Sequence, residues 1–290
     1  MLSMANYLSS EKRVKIFHLL CEGNGINSIS RITGCSKQTI SLLLKRFSSI
    51  CDYLNRKLIT NIEINEIEAD ELRTFVRIKT NIRWVYVAMD RDSRFIINFH
   101  IGNRDTYDAK IFLTELSYRL SSKTNVSTDC LTSYVSAVSK TPYGRIEAAT
   151  SSIGLLRAVD YQKKLKRSIT NRIESHNGNI RQHVSRLIRK TRCFSKCQER
   201  LKQHLTLFFF YYNFIKKHQS LSTTPSVSIG VSDTPLSFNA IIDYDNMYTE
   251  NPGKRGSYKP KEKKVKVRDM PIDNDFLEKV KKDVKSVVSL

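Results

Sequence analysis

Apolar residues recur at helical spacing through the first fifty positions. Over residues 10–22, SEKRVKIFHLLCE sets Val14, Phe17, Leu20 and Cys21 on one face, with Ser10 as the expected N-cap. Gly23 and Gly25 interrupt that pattern, ISRI at 29–32 suits a short second helix, and Gly34-Cys35 makes a turn. Ser36 then caps a third helix, KQTISLLLKRF. This is the order that a helix-turn-helix requires. In such a unit Ile40, Leu43, Leu44 and Phe47 point inward while Lys37, Gln38 and Ser41 face base edges. A three-helix subdomain without DNA contact is the other reading.

The period then changes to two. NIEINEIEADEL alternates through Ile62, Ile64 and Ile67, and RWVYVAMD and SRFIINFHIG follow, joined by Asp90-Arg91-Asp92-Ser93, so three adjacent antiparallel strands are predicted. DAKIFLTELSYRL carries Ile111, Phe112, Leu116 and Leu120 on a helical stripe, and TNVSTD predicts a short strand ending at Asp129. RIEAAT suits one more strand, whereas LLRAVDYQKKLK has no clean pattern. Strands interleaved with helices predict a mixed α/β layer.

Two further helices are expected. RSITNRIESHNGNIRQHVSRLIRK predicts one running to Arg189 or Lys190, and KCQERLKQHLTLFFFYYNFIKKH another, whose aromatic run reads as core rather than as a platform for stacked bases. After His218, STTPSVSIGVSDTPLSF and NPGKRGSYKPKEKKVKVRD show no core pattern. The expected organisation is a helix-turn-helix domain at 1–58, an α/β domain at 59–220 and a C-terminal extension at 221–290. The basic tail of that extension is expected to be a mobile arm that either adds phosphate contacts or serves solubility.

Composition narrows the class. The 290 residues include 49 Lys and Arg against 28 Asp and Glu, a formal charge of +21, which points to a polyanionic partner and first to nucleic acid. The longest apolar run, LTLFFFYYNFI, is too short to span a bilayer, and no charged-then-apolar leader opens the chain, so a soluble cytoplasmic protein without membrane contact is expected. The six cysteines form no CxxC pair and are expected to be reduced. Cys193 and Cys197, four apart, could share a helix face and complete a zinc site with His183 or His204, but two half-buried thiols are the simpler reading.

Three carboxylates stand in segments whose neighbours are largely apolar or basic: Asp70 in a strand, Asp129 at the end of another, and Glu174 on a helix. At steps of three and four, Glu174, Asn177, Gly178, Arg181 and Ser185 share one helix face, beside an apolar face of Ile173, Ile180, Val184, Leu187 and Ile188. Glu174 thereby lies where strand ends could bring Asp70 and Asp129, and Arg181 where it would meet a phosphate. Three carboxylates drawn together repel unless a cation neutralises them. Oxygen ligands suit Mg²⁺, and two ions so held support in-line phosphoryl transfer on DNA.

TNRIESHNGNIRQHVSRLIRKTRCFSK resembles the helix motif of bacterial insertion-sequence transposases of the IS-one type, in which a glutamate is followed by arginines and then by Arg-Lys-Thr and Phe-Ser. EADELRTFV resembles that family's first-aspartate strand, WVYVAMDRDSRFIINFHIGNR its hairpin, STDCLTSY its second-aspartate site and TTPSVSIGVSD a C-terminal segment. The resemblance covers about residues 10–238. It implies an RNase H-like fold, a DDE triad of Asp70, Asp129 and Glu174 that ligates two Mg²⁺ ions, with Mn²⁺ as substitute, and Arg181 as the basic residue seven after the glutamate. His176, Asn177, Arg186, Arg189 and Lys190 join the DNA-facing set, with helix packing or hydrogen bonding as an equal reading for His176. Terminal inverted repeats and target DNA are the implied partners, and paired ends imply a homo-oligomer. The sequence departs from the family pattern in having no cysteine finger before the helix-turn-helix, Arg73 in place of an aromatic, and Cys130-Leu131 in place of Gly-Trp. A noncatalytic DNA-binding derivative and an RNase H-like nuclease without strand transfer are the competing readings.

Overall fold

The structure, a computed structural model, describes residues 8–128, 133–134, 137, 146–148, 170–188 and 193–247. Three helices open it: α1 (Ser10–Cys21), α2 (Ile26–Thr33) and α3 (Lys37–Leu58). The cap of α1 is Ser9, whose hydroxyl accepts from the Lys12 amide, and not the expected Ser10, which lies one residue inside the helix. Gly34 ends α2 in the left-handed region at φ 67°, where a side chain would be strained. Ser36 caps α3 by accepting from the Thr39 amide at 3.1 Å. Ile40, Leu43, Leu44 and Phe47 are buried as the spacing predicts, with Phe17 of α1 stacked on Phe47 at 5.0 Å. Helix α3 continues well past Phe47 because Ile50, Cys51 and Leu54 carry the same stripe inward to the end of the helix.

A five-stranded sheet follows, built from β1 (Glu66–Phe75), β2 (Ile82–Asp90), β3 (Ile96–Gly102), β4 (Thr124–Ser127) and β5 (Ile146–Ala148) in the order β3-β2-β1-β4-β5. The first three are antiparallel, with Asp70 opposite Val87, while β4 runs parallel to β1 with Glu68 opposite Ser127, and β5 runs parallel to β4. Ile62 and Ile64 precede β1 rather than opening it, and Ile62 instead bridges to Leu120. Helix α4 (Thr106–Arg119) crosses between β3 and β4, capped by Asp105, which accepts from the Asp108 amide. Strand β4 stops at Ser127, short of Asp129, which lies outside the described residues together with Cys130, Arg189 and Lys190.

Helix α5 (Asn171–His183) is shorter than expected. It ends at Val184, with φ −107° and ψ 88°, and a 3-10 turn over Ser185–Leu187 replaces its last turn. The Arg181 guanidinium donates to the Leu187 carbonyl at 2.8 Å, which fixes that turn. Helix α6 (Gln198–Phe214) begins just after Cys197, so Cys193 and Cys197 stand before it, both exposed, rather than half-buried on one helical face. From Leu201 onward α6 is buried except at Lys202, and its aromatic run is core. Asn213 of α6 uses both ends of its amide on the backbone of Ile96, accepting from its N–H at 2.9 Å and donating to its carbonyl at 2.7 Å, which covers the outer strand β3.

The serine- and proline-rich stretch has a core of its own. Pro225 opens the short helix α7 (Pro225–Ser228), and α8 (Phe238–Met247) packs against α1 and α3, with the Phe238 ring 5.2 Å from Phe17. Periodicity missed it because buried Ser and Thr, among them Thr224, Ser226 and Ser232, take the place of apolar residues. No helix among the described residues is long and apolar enough to cross a membrane.

Candidate active site

Strand period two sends Glu68 and Asp70 of β1 to the same face, and both meet α5. Glu68 is fully buried, and one of its carboxylate oxygens accepts from the Ile173 amide at 2.8 Å. The other lies 3.4 Å from Arg91. Burial pushes the Glu68 carboxyl above the usual carboxylate range, against the opposing pull of the Ile173 amide and Arg91. Two residues along, Asp70 Oδ2 accepts from Asn177 Nδ2 at 2.6 Å, and its Oδ1 accepts from the Glu71 amide at 2.8 Å.

Glu174 therefore sits between two points at which α5 is tied to β1. It lies in the first helical turn, where the macrodipole favours a carboxylate, and its Oε1 accepts from the Thr170 hydroxyl at 2.9 Å. Its side chain is exposed, whereas Ile173 and Ile180 are buried beneath it. The structure thus brings the Asp70 strand and the Glu174 face of the helix together through Asn177.

Other expected residues divide. Lys37 and Gln38 are exposed at the start of α3, and Ser41 is half-buried with its carbonyl accepting from Arg200 at 2.9 Å. Asn177, expected at DNA, is turned to Asp70. Of the two readings of His176, the geometry fits helix packing: it is 3 % exposed, its ring lies 4.4 Å from Tyr212, and burial pushes its pKa down to about 3. Its place in the helix repeat puts it with Ile173 and Ile180 on the buried side of α5. Arg186 is half-buried near Ser195, and burial lowers its pKa. Glu68 was not singled out by the sequence reading; an acid two residues before Asp70, on the same face of the strand, was its only signal.

The residues present fit a divalent ion. Asn177 Oδ1 is buried and has no hydrogen-bond partner, an orphan oxygen on the side chain that holds Asp70. Carboxylate and amide oxygens are the donors that Mg²⁺ and Mn²⁺ take. Among the described residues no cluster of three or more His, Cys, Asp or Glu could hold a metal, and Asp129 lies outside them.

The antiparallel three-strand ribbon, the parallel fourth and fifth strands and the helices around them define an RNase H-like domain behind an N-terminal helical unit. A family model described as a DDE domain matches residues 65–212, and one described as a helix-turn-helix domain matches residues 5–46. The chain belongs to the DDE-domain family, as an insertion-sequence DDE transposase with a helix-turn-helix at its N-terminus. A search of curated proteins gives no match.

Proposed function

We propose that this transposase binds the terminal inverted repeats of its element through α2 and α3 and, with Mg²⁺ or Mn²⁺, hydrolyses a DNA strand to free a 3′-hydroxyl that attacks target DNA. Asp70, Asp129 and Glu174 are the proposed carboxylates. The observation that carries this reading is Asn177, which shares a face with Glu174 one turn away and donates to Asp70 at 2.6 Å.

Hydrogen bonds from Asn177 and from the Glu71 amide help to hold the Asp70 carboxylate in one orientation. Thr170 does the same for one oxygen of Glu174. Asp70, Glu174 and Asp129 would hold a divalent ion, which would supply Lewis acidity and charge neutralisation for in-line phosphoryl transfer. Lys37 and Gln38, exposed at the start of α3, stand where a recognition helix meets base edges. The charge of +21 supplies the sequence-independent attraction to phosphate. Paired ends call for a homo-oligomer, and a DNA substrate is consistent with a cytoplasmic location.

A labelled end oligonucleotide tests the reading. Wild type is expected to nick it in Mg²⁺ and then join the freed end to a target, whereas Asp70→Asn, Asp129→Asn and Glu174→Gln bind but do not cut. Equal cutting by any of these variants removes that residue from the triad. Binding without cutting in either metal leaves a noncatalytic DNA-binding protein, and cutting without joining leaves a nuclease.

A further inference from the structure

Two strand residues advance about 6.6–6.8 Å and four helical residues about 6 Å, so a helix lying along a strand can meet it at both steps. That match occurs here. Glu68 accepts from the Ile173 amide and Asp70 accepts from Asn177, two positions apart on β1 and four apart on α5. Glu174 lies between the two rungs. Of the pair, only Glu68 is wholly buried. The Ile173 N–H that donates to it lies in the first turn of α5, where the backbone N–H groups lack partners within the helix.

The outer side of the same turn is tied by a second route. Arg91 pairs with Glu68 and with Glu66 at 3.2 Å, its amide donates to the Glu66 carbonyl, and its own carbonyl accepts from the Arg172 guanidinium. Arg172 also lies 3.5 Å from Asp92. These groups converge on the N-terminus of α5 from β1 and from the turn after β2, and Glu68 is at their centre.

We infer that Glu68 is a positioning residue for strand cleavage: its buried carboxylate holds the first turn of α5 at a fixed height on β1 and so sets where Glu174 stands relative to Asp70. This rests on the transposase reading above, and it adds a residue outside the triad. Glu68 does not touch DNA or the reacting atoms.

The experiment compares Glu68→Gln with Glu68→Met in the full-length chain. Both substitutes have nearly the length of glutamate, but only glutamine keeps an oxygen for the Ile173 amide. Amide exchange over residues 171–177 and cleavage of the end oligonucleotide at saturating DNA are both measured. The methionine variant is expected to exchange about tenfold faster than the glutamine variant at these amides. Its kcat is expected to fall below that of the glutamine variant by a similar factor or more, with unchanged Kd for the end oligonucleotide. If the two variants show the same exchange, the proposal is overturned, whatever their activity. A methionine variant that unfolds where glutamine folds also overturns it, because Glu68 would then hold the whole sheet. Absence of cutting by wild type defeats the transposase reading alone, since the exchange comparison still decides the role of Glu68.

Discussion

Arg13 and Asp245 stand 232 positions apart in the chain and 2.7 Å apart in the fold, each almost wholly buried. Arg46 of α3 pairs with the same carboxylate, and Arg13 also donates to Asn246 at 2.6 Å. Helix α8 is thus ionically locked to the N-terminal helix-turn-helix unit. Asp245→Ala leaves two guanidinium groups around an empty place. Breaking a buried pair in this way costs about 3–5 kcal/mol, reduced here because Arg46 is partly solvated. The expected outcome is a lower midpoint in urea together with weaker binding of end DNA; an unchanged midpoint would show that the lock adds nothing.

Asn177→Ala removes the donor on Asp70 and the orphan oxygen beside it. Turnover of the end oligonucleotide is expected to fall by about 10–100-fold, the range typical when a group that orients metal ligands is lost. Its Kd is expected to stay within about twofold, since this side chain faces Asp70. Weaker DNA binding at unchanged kcat would return Asn177 to the DNA-facing set.

His176 makes stability depend on pH. Its folded pKa of about 3 lies below the ordinary value of 6.5, so between these the unfolded chain takes up a proton that the folded chain refuses. The stability is complete above about pH 6.5 and is lost as pH falls towards 3, at about 1.4 kcal/mol per pH unit. His204, pushed down to about 4 by burial, adds to the same slope. Urea midpoints from pH 7 to pH 4.5 are expected to drop steeply, and less steeply in His176→Phe. A parallel drop in both proteins would assign the slope elsewhere.

Gly23 carries φ +77°, and a Cβ there would fall 2.9 Å from the His183 carbonyl oxygen and 3.0 Å from that of Gln182. Gly23→Ala is expected to lower stability by about 1–3 kcal/mol through backbone strain, before any shift of α5. Gly178→Ala, with nothing within 4 Å and inside α5, is expected to gain about 0.5–1 kcal/mol. Thermal melts of the two variants moving in the same direction would contradict the geometry.

Periodicity carried most of the fold. Three N-terminal helices, the antiparallel ribbon and the aromatic core helix follow from apolar spacing at Phe17, Phe47, Val85 and Phe208, because each is buried by the element that its period predicts. The end of α5 was not legible: Arg181, which reads as a phosphate contact, turns back on the Leu187 carbonyl. Nor was α8, whose docking depends on one buried aspartate pairing with arginines from the other end of the chain. At the site, residue types and resemblance singled out Asp70 and Glu174. Glu68 and the true partner of Asn177 required the three-dimensional match between strand and helix.

The Gly23 contact has a further result. The carbonyls at the C-terminus of α5 rest on the turn between α1 and α2, where Glu22 also reaches His183 and accepts from Tyr211. The recognition unit and the Glu174 helix therefore form a strut rather than two parts on a tether. Under the proposed function such a strut is a ruler: bases held by α3 would fix, in base pairs, how far away that subunit could present Glu174 to a phosphodiester.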